Sequence, residues 1–489
     1  MNILFVTPEV TPFARAGGLG DVSHHLPRAL AALDHKLWII TPKHRTTEDA
    51  GYQLTPWPKS IQVPIGWRER TAQLFSCRVE PNIEVIFVGC DDLYNRGGLY
   101  GNEYGDYEDN AERFIFFNRA VMETIRVMDL IPDVIHGHDW PSGLAPVYVK
   151  TLYKNLSNLN KTATVFTFHN LGSQGIFWHL DFPMTGLGWE LFTPEGLEFH
   201  HQINMTKAGL VTADLISTVS RKYSQEVLTP EYGFGLEGVL KNRREETYAV
   251  PHGVDYQVWD PAIDPYLTAN YSVESLQLKS KCREVLNDIF GLKPDDQPIM
   301  AMVSRLFDRK GMDLINTAMD RLLSLPMKMV FLGLGDERYH SFLTKMAAAH
   351  PERLGVKIAY EPALVHQIMA GADIFLMPSR YEPCGLEQMY SLKYGTIPVV
   401  RATGGLDDSV IDVEQSPDTG TGFKFHDYTS EALYLSLASA TNLFKDQSAW
   451  TAMMRRGMGL DFSWYRAAIQ YEAIYQLAIR KVNSRVGQI

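Results

Sequence analysis

The chain opens on a strand, a glycine-rich turn and a helix, and that order constrains how the remaining residues can fold. Residues 2–6, N-I-L-F-V, are a short apolar run; residues 7–22 read T-P-E-V-T-P-F-A-R-A-G-G-L-G-D-V; residues 23–33 have helical character. Gly17, Gly18 and Gly20 have no Cβ and tolerate positive φ, so backbone N–H groups can approach an anion or a sugar closely. The helix adds the positive end of its dipole. A turn of this kind at the carboxyl end of a first strand is the ligand-binding element of an open α/β sheet. It is not the dinucleotide fingerprint, because Ser23 stands where that pattern requires a third glycine.

The same alternation recurs along the chain. Val22, Leu26, Leu30 and Leu33 lie at helical spacing and lead to a second strand at 37–40. Residues 61–65, 72–78 and 83–88 read as an antiparallel excursion, and 91–109, rich in Gly, Tyr, Asn and Asp, as a long loop of the kind that often carries function. A helix at 111–128, strands at 134–136, 164–168 and 215–219, a helical region at 186–210 and a strand ending in a turn at 248–255 complete a first domain. One helix is expected at 273–289. A second α/β series has strands at 299–303, 328–332, 356–359, 374–377 and 397–400. The expected domains are 1–250, 251–460 and a C-terminal helix, 461–489, that crosses back to the first; its apolar stripe is Ala467, Tyr471, Ile474, Tyr475 and Ala478. Two doubly wound domains in tandem are expected to face a central cleft, the default ligand site.

Composition narrows the function. A length of 489 residues exceeds one ordinary core. A net charge of −11 argues against a nucleic-acid surface, so any bound anion must be held by local groups. Cys77, Cys90, Cys282 and Cys384 are scattered, which suggests neither a zinc site nor a disulfide framework and fits a reducing compartment. There is no basic segment followed by a long apolar run, and no stretch long enough to span a bilayer; a cytoplasmic protein is expected.

Several loops after strands carry chemistry. Arg305 and Lys310, in V-S-R-L-F-D-R-K-G, are two cations able to hold a diphosphate and offset charge as it leaves. In P-S-R-Y-E-P-C-G-L-E, Glu382 immediately precedes a helix expected to begin near Cys384, where a carboxylate can accept sugar hydroxyls. T-G-G-L-D-D, 403–408, reads as a second turn-to-helix anion site with N–H groups from Gly404 and Gly405. His138-Asp139-Trp140 and His169-Asn170 end two strands of the first domain, and this mixture of aromatic, imidazole, amide and carboxylate suits a carbohydrate. A metal at His136, His138 and Asp139 is not expected, since strand alternation points His136 and Asp139 apart.

Taken together, R-A-G-G-L-G-D-V, H-D-W at 138, F-T-F-H-N-L at 166, K-A-G-L at 207, Y-G-F-G-L-E-G at 232, V-S-R-L with K-G at 303, S-R-Y-E-P-C-G-L at 379 and K-Y-G-T-I-P-V-V-R-A-T-G-G-L at 393 resemble bacterial glycogen synthases and plant starch synthases. The motifs run in the family's order over nearly the whole chain. The resemblance implies a GT-B fold and transfer of glucose from ADP-glucose to the non-reducing end of an α-1,4-glucan with retention, without metal or other cofactor. It implies that Arg305 and Lys310 hold the donor diphosphate, that Glu382 is the essential acid, and that His169 lies at the reaction centre. Arg15, Gly18, Asp21, His252, Tyr360, Cys384, Gly385, Leu386, Thr403, Gly404 and Gly405 then fall on the donor side, with Tyr360 as the aromatic that stacks on adenine. Glu9, Tyr94, Asp139, Trp140 and Asn170 fall where the family binds the acceptor or the sugar.

Three positions depart from the family's pattern. Arg15-Ala16 replaces the usual Lys-Thr, His252 replaces an asparagine before Gly-Val-Asp, and Glu387 stands where threonine is frequent. UDP-glucose as donor, a short malto-oligosaccharide as acceptor, and a non-catalytic glucan-binding relative therefore stand as alternatives.

Overall fold

The computed structural model describes residues 1–486. The chain divides into two compact units: Met1–Gly253 with the last helix, Trp464–Val486, and Val254–Ser463.

In the first unit the apolar runs become strands buried on both faces, as expected of a parallel sheet covered by helices. β1 (Asn2–Val6) and β2 (Lys36–Pro42) flank the helix Gly18–Ala31. β3 (Thr55–Pro56), β4 (Ile61–Ile65), β5 (Arg68–Glu80) and β6 (Ile83–Gly89) form the antiparallel excursion, and β6 also pairs parallel with β2. The loop after them contains one turn of helix, Asp91–Tyr94, and the short pair β7 (Gly101–Asn102) and β8 (Gly105–Asp106). β9 (Val134–His138) and β10 (Ala163–Thr167) return to the sheet, and β11 (Ile176–Trp178), β12 (Glu198–Phe199) and β13 (Gln202–Asn204) make a small antiparallel sheet. β14 (Leu215–Thr218) and β15 (Thr247–Ala249) complete the order β15-β14-β10-β9-β1-β2-β6-β5-β3, with β4 on β5. Sheet growth reverses between β1 and β9, a topological switch point.

Both faces of this sheet are covered. One carries Phe114, Ile115, Phe117 and Val121 of the helix Asn110–Val127. On the other, Leu26 and Leu30 join Ala467, Tyr471, Ile474, Tyr475 and Ala478 of the last helix in one buried cluster. Each large side chain so buried contributes about 1.5–3 kcal/mol.

The second unit is simpler. β16 (Ile299–Val303), β17 (Lys328–Leu332), β18 (Leu354–Lys357), β19 (Ile374–Met377), β20 (Ile397–Arg401) and β21 (Phe423–Phe425) pair in the order β18-β17-β16-β19-β20-β21, all parallel. This is the doubly wound arrangement, with its switch point between β16 and β19.

Four expectations from sequence are corrected. The first helix begins at Gly18, inside the glycine turn, and not at Ser23. Residues 186–204 form 3-10 turns and β-structure, the helix starting only at Met205 after its Asn204 cap, because Gly186, Gly188 and Gly196 interrupt the run. The segment after Ser272 starts as a kinked 3-10 turn, Val273–Leu278, before the helix Lys279–Phe290. The helix after β19 starts at Glu387, three residues beyond Cys384, because Gly385 takes φ +69. Among the described residues no helix is long and apolar enough to cross a membrane.

Candidate active site

The switch point of the second unit gathers charge. Lys310 follows β16 through the 3-10 turn Asp308–Lys310, and Glu382 follows β19, so the doubly wound order brings residues 72 apart in sequence together. The Lys310 Nζ donates to Glu382 Oε2, and the Ser379 hydroxyl donates to the same oxygen at 3.0 Å. Burial alone would lower the Lys310 pKa, but the Glu382 and Glu387 carboxylates outweigh it, and the net shift is upward. Lys310 is therefore a cation throughout the physiological range. A small cavity beside it is lined by Ser304, Lys310, Ser379 and Glu387. Arg305 is different: its guanidinium is exposed and has no ion pair or hydrogen bond among the described residues.

The T-G-G stretch packs against this site from within. Thr403, Gly404 and Gly405 are buried, and the Gly405 N–H donates to the carbonyls of Glu382 and Pro383 at 3.2 and 3.1 Å. A Cβ on Gly404 would stand 2.0 Å from the Glu382 carbonyl oxygen, and one on Gly405 1.9 Å from that of Cys384. These glycines allow backbone to pack against the segment that carries Glu382. Cys384 is buried too, while Gly385 at φ +69 turns the chain into the helix that Leu386 precedes. Glu387 folds back so that its carboxylate accepts the Leu386 N–H at 3.2 Å. Tyr360 is 72% exposed, a ring free to stack on a planar ligand.

The switch point of the first unit is built from neutral and hydrogen-bonded groups. None of Gly17, Gly18 and Gly20 takes a positive φ; Gly17 is extended and the other two are helical. Glu9 has taken the turn's anion-binding groups: its Oε2 accepts the N–H of Ala16 at 2.7 Å and of Gly17 at 3.0 Å, and the Tyr100 hydroxyl donates to its Oε1 at 2.6 Å. Gly18 remains exposed at the first turn of the helix, where an added Cβ would meet nothing. Arg15 pairs with Asp21 at 2.7 Å, yet burial still holds the Asp21 carboxyl above its usual range.

Register aligns the next two strand ends, with His138 of β9 opposite Thr167 of β10. Asp139 adopts φ +54, a region that L-residues enter at a cost of roughly 1–3 kcal/mol. Its Oδ1 accepts the His169 backbone N–H at 2.7 Å, and burial pushes its carboxyl up to about 7. Trp140 packs edge-on to Phe114 at 4.6 Å and against Phe177 at 5.6 Å. Asn170 accepts the Gly172 N–H in a tight turn. His169 and His252 are joined ring to ring, Nδ1 to Nε2, at 3.0 Å.

Tyr94 has no place at this surface. It is wholly buried, with its hydroxyl donating to the Arg113 carbonyl, and Tyr100 from the same loop is the tyrosine that reaches Glu9. The sequence signal for Tyr100 was only its Gly/Tyr/Asn-rich loop; Ser379, the second residue after β19, carried no separate signal. His136 has both ring nitrogens engaged, Nδ1 by Tyr475 at 2.8 Å and Nε2 by Thr167 at 2.6 Å.

Comparison with known proteins identifies the pattern. Residues 2–242 match the family model of the starch synthase catalytic domain, and residues 287–453 that of glycosyl transferases group 1. The glycogen synthase of Koribacter versatilis is 43% identical over 98% of both chains, and that of Geotalea daltonii 42% identical over 98% of this chain and 99% of its own. The chain belongs to the glycogen and starch synthase family. The catalytic domain of Arabidopsis thaliana starch synthase IV, solved with ADP and acarbose, superposes with a TM-score of 0.88 at 30% identity, covering 98% of this chain and 99% of that one. Membership makes the chain a glycosyltransferase, and its two Rossmann-like units are those of the GT-B fold. A glucosyltransferase of glycogen or starch synthesis is the function the family carries.

Proposed function

We propose that the enzyme transfers glucose from ADP-glucose to the non-reducing 4-hydroxyl of an α-1,4-glucan with retention, in the cytoplasm. The observation that carries this reading is the charge arrangement at the second switch point: a paired, half-buried Lys310–Glu382 and, in the same loop as Lys310, an Arg305 with no partner among the described residues. A free guanidinium is a ready partner for phosphate oxygens, and a fixed ammonium adds charge where a leaving diphosphate develops it. Lys310 and Arg305 hold the diphosphate, Glu382 meets the donor sugar, and the exposed Tyr360 stacks on the base. In the first unit we read His169 as a reaction-centre residue, Arg15, Gly18 and Asp21 as donor-side residues, and Glu9, Asp139, Trp140 and Asn170 as sugar- or acceptor-side residues, from the family resemblance of their motifs.

In the transfer the bond from the anomeric carbon to the β-phosphate oxygen breaks, and a new bond forms to the acceptor oxygen. The acceptor proton passes to the departing diphosphate. No carboxylate is assigned as a nucleophile, so attack from the face the nucleotide leaves is the route proposed. Side-by-side measurement of ADP and UDP release, with glycogen and with maltose, tests the reading. ADP release on glycogen is expected to dominate; dominant UDP release, or glycogen binding without transfer from any nucleotide sugar, overturns it.

A further inference from the structure

Three imidazoles in the first unit stand in one hydrogen-bonded line, each from a different strand end. His138 Nδ1 is 3.1 Å from His169 Nε2, and His169 Nδ1 is 3.0 Å from His252 Nε2. Stacking fixes the rings: Phe5 lies 4.9 Å from His138, His169 lies 5.4 Å from His138, and Trp464 lies 6.0 Å from His252. His138 and His169 are buried, and His252, half-buried, is the outer end.

A neutral imidazole offers one N–H and one lone pair, so a line of three neutral rings can run in only two directions. The rings are neutral at pH 7: burial holds His138 and His169 well below the usual histidine range and His252 at about 4. The inner end decides the direction. His138 Nε2 is buried without a partner among the described residues, and a buried N–H with no acceptor costs more than an unfilled lone pair. His138 therefore carries its proton on Nδ1 and donates to His169 Nε2. His169 in turn keeps its proton on Nδ1 and donates to His252 Nε2. That leaves an N–H on His252 Nδ1, which has no partner among the described residues.

We propose that His252 is a positioning residue: by accepting the His169 Nδ1–H it fixes the tautomer and orientation of His169, which then serves as an oriented neutral ring and not as a general base. With both ring nitrogens taken, His169 has no lone pair for a reacting proton. An asparagine, which the resemblance gives as usual before Gly-Val-Asp, would end about where His252 Nδ1 stands and fall short of His169, so the line depends on the histidine. The functional half of the proposal rests on the reading of His169 as a reaction-centre residue.

Long-range 15N–1H correlation spectra of the full chain, labelled in histidine and assigned with His169→Gln, test the line directly. The expected result is His169 in the Nδ1–H tautomer from pH 6 to 8. His252→Phe keeps a ring on Trp464 but removes the acceptor, and a mixed tautomer is expected. His252→Gln carries an oxygen to the Nε2 position and should restore the Nδ1–H form. In turnover, His252→Phe should lower kcat on the order of 10-fold with a smaller change in the nucleotide-sugar KM, and His252→Gln should recover most of it. An Nε2–H or charged His169 in the unaltered chain, an unchanged tautomer in His252→Phe, or unaltered kcat in that variant overturns the proposal. Wild-type turnover in His169→Ala removes instead the reading on which its functional half rests, while the spectra still judge the line.

Discussion

The two switch points solve the same topological problem with opposite electrostatics. In the second unit the loops after β16 and β19 concentrate charge, with Lys310 held on Glu382 and Arg305 without a partner among the described residues. In the first unit the loops after β1, β9 and β10 satisfy themselves: Glu9 occupies the N–H groups of the glycine turn, Asp139 occupies the His169 N–H, and burial keeps the imidazoles neutral. On the proposed function, the second unit's site suits a charged leaving group and the first unit's suits uncharged hydroxyls. A diphosphate requires cations in place beforehand, whereas a sugar requires oriented donors and acceptors that cost little to desolvate.

The strongest way to break the comparison is to remove charge from the second site. Lys310→Ala and Glu382→Ala are each expected to lower turnover by roughly 100- to 1,000-fold. Each also leaves the other half-buried charge without its counter-ion, a loss of stability that a urea midpoint would register. Arg305→Ala should lower turnover while leaving that midpoint unchanged, since the guanidinium has no partner to abandon. Equal stability losses in all three variants would contradict the contrast.

Glu9→Gln addresses the first site. It removes an oxygen from a group that holds two backbone N–H donors and the Tyr100 hydroxyl, and a loss of about 1–3 kcal/mol is expected in thermal unfolding. An unchanged melting temperature would mean that the turn does not depend on Glu9.

Acid should separate the units as well. Unfolded histidines bind a proton near pH 6.5, whereas burial delays binding to about pH 4 in folded His44 and His252 and holds His136, His138 and His169 well below the usual range. Stability is therefore full above pH 6.5 and falls as pH drops toward 4, by at most about 1.4 kcal/mol per pH unit for each histidine. Asp139 acts in the opposite sense, because its folded pKa of about 7 favours the folded state at low pH, a contribution lost as pH rises through 7. Burial raises the Asp21 and Asp181 carboxyls in the same sense, but five histidines outweigh these three carboxyls, so hydrogen exchange at pH 5 should accelerate first in the first unit. Uniform acceleration in both units would refute this.

Arg15→Lys is expected to have the smallest effect. The Arg15 side chain is 52% exposed in its pair with Asp21, so stability should change by about 0–1 kcal/mol. Its turnover and ADP-to-UDP ratio show whether the arginine sets efficiency or donor choice.

Much of the fold was legible in the sequence because strands and helices announce themselves locally. The apolar runs at 2–6, 299–303 and 374–377 became β1, β16 and β19, and the stripe from Ala467 to Ala478 became a buried helix face. Lys310 and Glu382 could be named because each follows a strand, and strand ends are where a parallel sheet exposes its loops. The short β21 and the turns at 186–204 were not legible, since two or three residues carry no periodicity and the glycines there do not state which turn they make.

What the sequence determined by itself was the alternation of strand, loop and helix and the identity of the charged residues at the strand ends, because these depend on neighbours in the chain. Tertiary structure decided their partners. It put Glu9 into the glycine turn, sank Tyr94 and brought Tyr100 forward, turned the Gly404-Gly405 pair into a support for Glu382, and joined His138, His169 and His252. Hydrogen bonds between residues 31 and 83 positions apart are set by strand order and register, and neither is written in any one segment.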